Sequence, residues 1–314
     1  MCVPQSELEG RKKIKMVDGR TFLEAMEKKA RMFAPAARTT FGANESLCSW
    51  LLNPLAKWAH AAYGDRAFED AARGYAQYCL GVVKSQQVFE KAGWYTPEDL
   101  PDVISEVYED EGYMVPYMWA AILIYAFWPS MIGHLALYRN EFLRALPLEA
   151  NVLELASGHG VLGLLAAEER TDITLEGVDI SPPAVAVANR LLAVSGHDRR
   201  VTFKVQNALD IGQGNPGGGY KGIIVAMLAE HLQDPRPLFQ AVSHLLADDG
   251  IVFFSTAIES AQRDHIYEFN QESEPLQMAE QVGLRVTRLI SDAGSGAAGG
   301  RFLPRAVAMI LRRR

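Results

Sequence analysis

The stretch Val152-Leu153-Glu154-Leu155-Ala156-Ser157-Gly158-His159-Gly160 decides the fold. An apolar run ending near a carboxylate leads into a turn of small residues, and from Gly160 to residue 169 the chain reads as helix. Small residues at such a turn let another molecule approach the backbone, and the first turn of the helix offers N–H groups without intrahelical partners. Taken alone, the segment also reads as any tight strand-to-helix turn. The next unit argues against that plain reading. In Leu175-Glu176-Gly177-Val178-Asp179-Ile180-Ser181-Pro182 a second apolar strand ends in an acid, with Ser181 and Pro182 placed as N-cap and first helical residue. Asp179 follows Glu154 by 179 − 154 = 25 positions, close to the separation at which doubly wound folds set the carboxylate that accepts ribose hydroxyls.

Working outward, short β-like runs at 151–155, 173–178, 201–205, 222–226, 251–255, 284–290 and 306–311 alternate with helical patterns at 160–169, 182–195, 235–246 and 275–282. This alternation predicts an α/β domain over 147–314, a doubly wound, mostly parallel sheet of seven strands. Glycine-rich segments at 212–219 and 294–300 have the composition of flexible loops. Upstream the texture changes. From 22 to 146 apolar residues recur at three- and four-residue spacing, which predicts an all-helical N-terminal domain over 1–146. Breaks are expected at Pro35, Asn53-Pro54, Gly64-Asp65, 93–101 and Pro147, dividing it into six or seven helices. Thr96-Pro97-Glu98-Asp99 reads as a capped helix start.

At 314 residues, 49% hydrophobic and 22% charged, the chain has the composition of a soluble globular protein with room for two cores. A net charge of −7 speaks against a surface that neutralises phosphates, and the basic groups at 11–15 and 312–314 read as solvated termini, so no nucleic-acid partner is expected. Cys2, Cys48 and Cys79 form no C-x-x-C pair and have no histidine at metal-ligand spacing, so neither a disulfide framework nor a metal is expected, and a cytoplasmic setting fits. Residues 5–20 are too polar for a signal peptide. Residues 114–134 are apolar enough to resemble a membrane span, but Pro116 and Pro129 interrupt them and their aromatics do not band at the ends, so a buried helix or helix pair is expected.

Two further strand ends carry polar groups. Gln206-Asn207-Ala208-Leu209-Asp210 closes the third strand. The fourth, from Ile223 to Met227, runs into Leu228-Ala229-Glu230-His231-Leu232 where such sheets bind ligands. With these in order, the C-terminal half resembles a class I S-adenosylmethionine-dependent methyltransferase with a Rossmann-like sheet. Glu154 to Gly160 is similar to that family's first motif, an acid, an apolar residue and then glycines at alternate positions, with Ala156 in place of the first glycine. The resemblance implies S-adenosyl-L-methionine as cofactor, held by Glu154, Ala156, Ser157, Gly158, Gly160, Asp179, Ile180, Asn207, Ala208 and Met227. It further implies that Asp179 takes the ribose and that Ala208 offers its backbone N–H to the adenine. Asn207 departs from the family's usual acid near the adenine amino group, though an amide oxygen still accepts that bond. Lys221 departs from the acid many members carry before the fourth strand. A nicotinamide dehydrogenase would share the glycine-rich turn and the acid, but the Glu-His-Leu-x-Asp-Pro turn and the Asp249-Gly250 turn match the methyltransferase layout better.

The resemblance therefore implies methyl transfer (EC 2.1.1) to a small-molecule acceptor, amino-acid-like, keto-acid or aromatic, in a biosynthetic setting. The alternative is attack at the aminocarboxypropyl chain with release of methylthioadenosine. The helical half is expected to bind the substrate or close over it, and a homodimer through it is conceivable. Tyr113, Tyr117, Trp128, His134, Tyr138 and Arg139 are candidate pocket residues: aromatic faces suit a sulfonium or a planar acceptor, and Arg139 suits a carboxylate. Each of the same aromatics reads more readily as helical core. His265, His231 and Asp264 are the candidates to position or deprotonate an acceptor, and Arg263 to bind an acid.

Overall fold

The computed structural model describes residues 17–94, 97–211, 219–293 and 302–314. Cys2, the basic run at 11–15, Thr96 and the glycine-rich loops, apart from Gly219, lie outside the described residues. The first half is helical: α1 (Arg20–Lys29), α2 (Ala34–Ala43), α3 (Glu45–Tyr63), α4 (Arg66–Ala92), α5 (Leu100–Val103), α6 (Glu111–Phe127) and α7 (Pro129–Leu137). Wider π-turns continue α5 through Ile104–Tyr108 and α7 through Tyr138–Leu143.

Most of the expected punctuation acts as its chemistry requires. Gly64 ends α3 and Gly93 ends α4, both at positive φ (71° and 78°), which glycine adopts without a Cβ clash. Asn53-Pro54 is a correction. The proline stands inside α3, where it deprives the Trp50 carbonyl of its helical partner, yet the helix continues because Leu51, Leu52, Leu55 and Ala56 are all fully buried around it. Asn53 is used differently, its Oδ1 accepting the Gly19 N–H at 2.9 Å just ahead of α1. A second correction concerns Pro97: the helix begins at Leu100, with Asp99 as the N-cap residue and Pro101 in the first turn. Pro116 likewise sits inside α6, whereas Trp128-Pro129 turns the chain by 87°. No single helix among the described residues is long and apolar enough to cross a membrane; α6 with its bent continuation passes that test only as a pair.

The second half holds β1 (Asn151–Leu155), α8 (Val161–Glu169), β2 (Thr174–Asp179), α9 (Pro182–Ser195), β3 (Val201–Val205), β4 (Tyr220–Ala226), α10 (Arg236–Leu245), β5 (Leu246–Ile258), α11 (Ser273–Gln281), β6 (Leu284–Ala293) and β7 (Arg305–Arg313). The seven strands form one sheet in the order β3-β2-β1-β4-β5-β7-β6, parallel except for β7, which is antiparallel to both neighbours. The apolar run of β1 is buried because its strand lies mid-sheet with both faces covered. After β3 the chain crosses back to lay β4 on the other side of β1, and this reversal leaves a crevice at the carboxyl ends of β1 and β4.

Alternation along the strands builds two cores. Leu153, Phe254 and Met309 face a layer containing Phe239 of α10 and Ala279 of α11. Val152, Phe253 and Ile310 face the other side, where one continuous cluster reaches through Tyr138 and Phe142 to Leu55 of α3 and Phe22 of α1. The helical half is therefore packed onto the sheet through shared apolar side chains. α4 and α6 approach closely at Gly74, where an added Cβ would stand 2.4 Å from the Pro116 carbonyl oxygen. Helix propensity alone would favour Gly74→Ala by roughly 1 kcal/mol. The backbone contact cannot yield so cheaply, so the expected result is a net loss of about 1–2 kcal/mol in a denaturant melt.

Candidate active site

The carboxyl ends of β1, β2 and β4 open into a cavity of about 290 Å³. Its wall is built from the turn after Leu155. Ser157 N–H donates to the Val178 carbonyl at 2.8 Å and Gly158 N–H donates to Asp179 Oδ2 at 2.8 Å, so the first turn and the second strand tip converge directly. Asp179 Oδ1 accepts the Ser181 N–H at 2.8 Å. Each oxygen thus uses one lone pair on the backbone and keeps another for a ligand. Burial pushes this carboxyl up, opposed by the N–H bonds from Ser181 and Gly158. Ala156 holds φ at 54° and Met227 also at 54°, conformations that cost a residue with a Cβ about 1–2 kcal/mol and that shape the turn and the tip of β4.

Glu154 is buried beside these groups. Burial pushes its carboxyl up to about 8, with the Gly163 N–H lowering it and Asp179 raising it. Its Oε2, which lies against Gly163 of α8, and the Ser157 hydroxyl are buried without a hydrogen bond of full geometry. Asn207 Oδ1 accepts the Leu209 N–H at 2.9 Å, capping a short turn and leaving one lone pair toward the cavity. His159 lines the wall as well. Its Nδ1 accepts the Val161 N–H at 3.0 Å at the start of α8, and burial lowers it to about 3, so it stays neutral.

The other end of the cavity lies under the helical half. Tyr108, from the π-turn after α5, and Tyr117, from α6, face Glu230, His231 and His265. The Tyr108 carbonyl accepts the Ser181 hydroxyl at 2.6 Å, which ties this cover to the N-terminus of α9. Glu230 follows β4. Its Oε2 accepts the Thr256 hydroxyl at 2.6 Å, while its backbone carbonyl accepts the Ile266 and Tyr267 N–H groups. This pins the loop after β5 against the β4 tip and sets the His231 and His265 rings 5.0 Å apart. His231 Nδ1 lies 2.8 Å from the Asp264 carbonyl and 3.1 Å from the Tyr108 hydroxyl. Burial lowers His231, but Asp264 and Glu230 outweigh it and leave the imidazole raised. Burial and His231 lower His265.

Of the residues singled out in the sequence, Glu154, Ala156, Ser157, Gly158, Asp179, Ile180, Asn207, Ala208, Met227, His231, His265 and Tyr117 line this one cavity. Gly160 does not; it caps α8 at φ 68° with Phe203 closing the space a Cβ would need. Tyr113 and Asp264 line a neighbouring cleft, Tyr113 stacking on Tyr117. Trp128, His134, Tyr138 and Arg139 lie elsewhere. Trp128 packs against Tyr78 and His134 is buried in α7. Tyr138 donates to the Leu162 carbonyl within the core, and Arg139 pairs with Glu169 over the Trp50 ring. Arg263 is held by Glu98 and Glu106. The structure does not bring these residues to the cavity: Tyr138 packs on Phe253 of the sheet's face, Trp128 on α4, and the arginines are taken up in ion pairs. Tyr78, Tyr108 and Gln262 were missed and carried no local signal; Glu230 stands out in the sequence only as one of the polar pair that follows the fourth strand.

A parallel sheet with a crossover beside β1, a turn that converges on an acid at the second strand tip, and a cavity across that switch point define a doubly wound nucleoside-binding enzyme. A methyltransferase-domain family model matches residues 127–288, more than half of the 314, and the chain belongs to that family, with the class I fold that uses S-adenosylmethionine. It is 31% identical over 111 residues to the ubiquinone biosynthesis O-methyltransferase of Cronobacter sakazakii, covering 35% of this chain and 44% of that one. It is 30% identical over 102 residues to the ajmaline N-methyltransferase of Rauvolfia serpentina, covering 32% and 34%. The matches thus span less than half the length of these curated relatives. The mitomycin 7-O-methyltransferase structure shares the fold over 78% of this chain and 71% of its own, with a TM-score of 0.52 and 13% identity.

Proposed function

We propose that this protein transfers the methyl group of S-adenosylmethionine to a small-molecule acceptor held between the sheet's carboxyl edge and the helical half. The observation that carries the reading is the lining of one cavity. Glu154, Asp179 and Glu230 line it together with His231, His265 and several tyrosines, and there is no lysine or arginine among the described lining residues. Acidic groups and aromatic faces without a lysine or arginine favour a positively charged ligand, which a sulfonium is. The cofactor supplies an activated methyl carbon; the protein's work is alignment and exclusion of water.

In this reading Asp179 takes the ribose hydroxyls and Glu154 receives the cationic amino end. Tyr108, Tyr117, Met114 and Met118 form the acceptor's walls, and residues 1–146 serve chiefly to bring those walls over the strand tips. The proton of an acceptor hydroxyl or enol would leave toward the His231–His265–Asp264 group. Incubating the full chain with methyl-labelled cofactor and a metabolite extract should yield S-adenosylhomocysteine and a labelled small molecule, both read by mass analysis. Release of methylthioadenosine in its place would show that the aminocarboxypropyl chain is the group attacked.

A further inference from the structure

Glu230, His231 and His265 each bring one ligand atom to a common point, all within 4.8 Å of one another, and we propose that they bind one divalent transition-metal ion of the zinc or ferrous type at the acceptor end of the cavity. No spacing in the sequence points to this cluster, because His265 comes 265 − 231 = 34 residues after His231 and from a different strand end.

Three features of the residues support an ion. Glu230 is 1% exposed, and its Oε1 is buried with no hydrogen-bond partner, although Thr256 fixes the other oxygen. A buried carboxylate oxygen left bare costs on the order of 1–3 kcal/mol or more, which a bound cation removes. Among the described residues no lysine or arginine forms an ion pair with Glu230 or with the equally buried Asp264; the pairing group there is the His231 imidazole, whose Nδ1 lies 3.5 Å from Asp264 Oδ2, so no permanently charged side chain neutralises this pocket. Finally, both imidazoles are held by backbone carbonyls at Nδ1, His231 by Asp264 at 2.8 Å and His265 by Ser260 at 2.7 Å. A carbonyl only accepts, so each Nδ1 carries the proton and Nε2 is the nitrogen that can ligate, the outer-shell arrangement that orients metal-binding histidines.

Tetrahedral bonds of about 2.0–2.2 Å set ligand atoms about 3.4 Å apart, so binding would contract a cluster whose atoms now lie within 4.8 Å of one another by up to about 1.4 Å. Two histidines and one carboxylate leave coordination positions open. Glu230, His231 and His265 line the same cavity as Tyr108 and Tyr117, so an acceptor in it that offers a hydroxyl, enol or carboxylate oxygen would complete the shell. The ion would then lower the pKa of a bound hydroxyl or enol ahead of methylation, with the proton passing to solvent or to Asp264. This last step rests on the methyl-transfer reading; ion binding does not.

The test uses untagged full-length protein, stripped with chelator and titrated with Zn(II) and, for its visible absorption, Co(II). The expected result is one ion per chain with a Co(II) spectrum of nitrogen and oxygen ligation. Glu230→Gln and His265→Gln should each weaken binding at least about 100-fold, and Thr256→Val, which frees the Glu230 carboxylate to turn, about 10-fold. Thermal melts identify any variant that fails to fold, in which case the others decide. Lack of stoichiometric uptake by the wild-type chain, or uptake unchanged in the folded variants, overturns the proposal. Cofactor affinity measured by calorimetry on the same metal-free samples separates the two readings: affinity kept without ion uptake removes the ion site alone, and ion uptake without cofactor binding removes the methyl-transfer reading alone.

Discussion

Asp179→Ala should weaken S-adenosylmethionine binding by at least about 100-fold in calorimetry. Asp179 is 8% exposed, and each of its oxygens already holds one backbone N–H, Gly158 on one side and Ser181 on the other. Its remaining lone pairs are those the ribose hydroxyls would use. Hydrogen bonds to a charged group contribute about 1.5–3 kcal/mol each, so two of them correspond to a factor of 100 or more. The substitution also releases the Gly158 turn that shapes the wall. A melting temperature within a few degrees of wild type would show that the domain has survived, and affinity within about threefold of wild type in such a protein would place the nucleoside elsewhere.

Glu154→Gln should change how stability depends on pH. Burial holds the folded carboxyl up to about 8, against 4.5 for the free group. Between those values the folded state retains a proton that the unfolded chain has lost, so the unfolded state binds fewer protons and stability falls as pH rises. Below about 4.5 both states are protonated and the contribution is fully present; above about 8 both are ionised and it is gone. From pH 6 to pH 8 the unliganded wild type should lose on the order of 2 kcal/mol from this group, or roughly 3 °C in melting temperature for a chain of 314 residues. The glutamine variant should lack that slope. Parallel stability curves for the two proteins between pH 5 and 9 would show that Glu154 is not the group responsible. Bound cofactor should flatten the wild-type slope as well, since its amino group would stabilise the ionised carboxylate.

How much of this was legible before any coordinates follows from where each interaction lies along the chain. The strand at 151–155, the helix at 182–195 and the strand at 201–205 were readable to the residue, because each is bounded by local chemistry such as the Ser181-Pro182 helix start. The wall around Asp179 was equally local: Ala156 to Gly158 and Asp179 announce themselves as strand tips, and parallel neighbours in a sheet must bring their tips together. Under the helical half the same logic ran out. Tyr108 reaches the cavity from a π-turn 73 residues before Ser181, to which it is bonded, and no periodicity marks it. Trp128, Tyr138 and Arg139 looked as suitable, but Trp128 packs on Tyr78, Tyr138 on Phe253 of the sheet, and Arg139 pairs with Glu169 over Trp50.

The sequence by itself determined the order of strands and helices, the acid-bearing strand tips and the family, because turn chemistry and apolar periodicity act over a few residues. Only the tertiary structure decided which aromatics line the cavity, that Pro54 and Pro116 stay within helices, and that Glu230, His231 and His265 meet. Those outcomes depend on burial and on contacts between segments far apart in the chain, whose energies exceed local preference and leave no local trace.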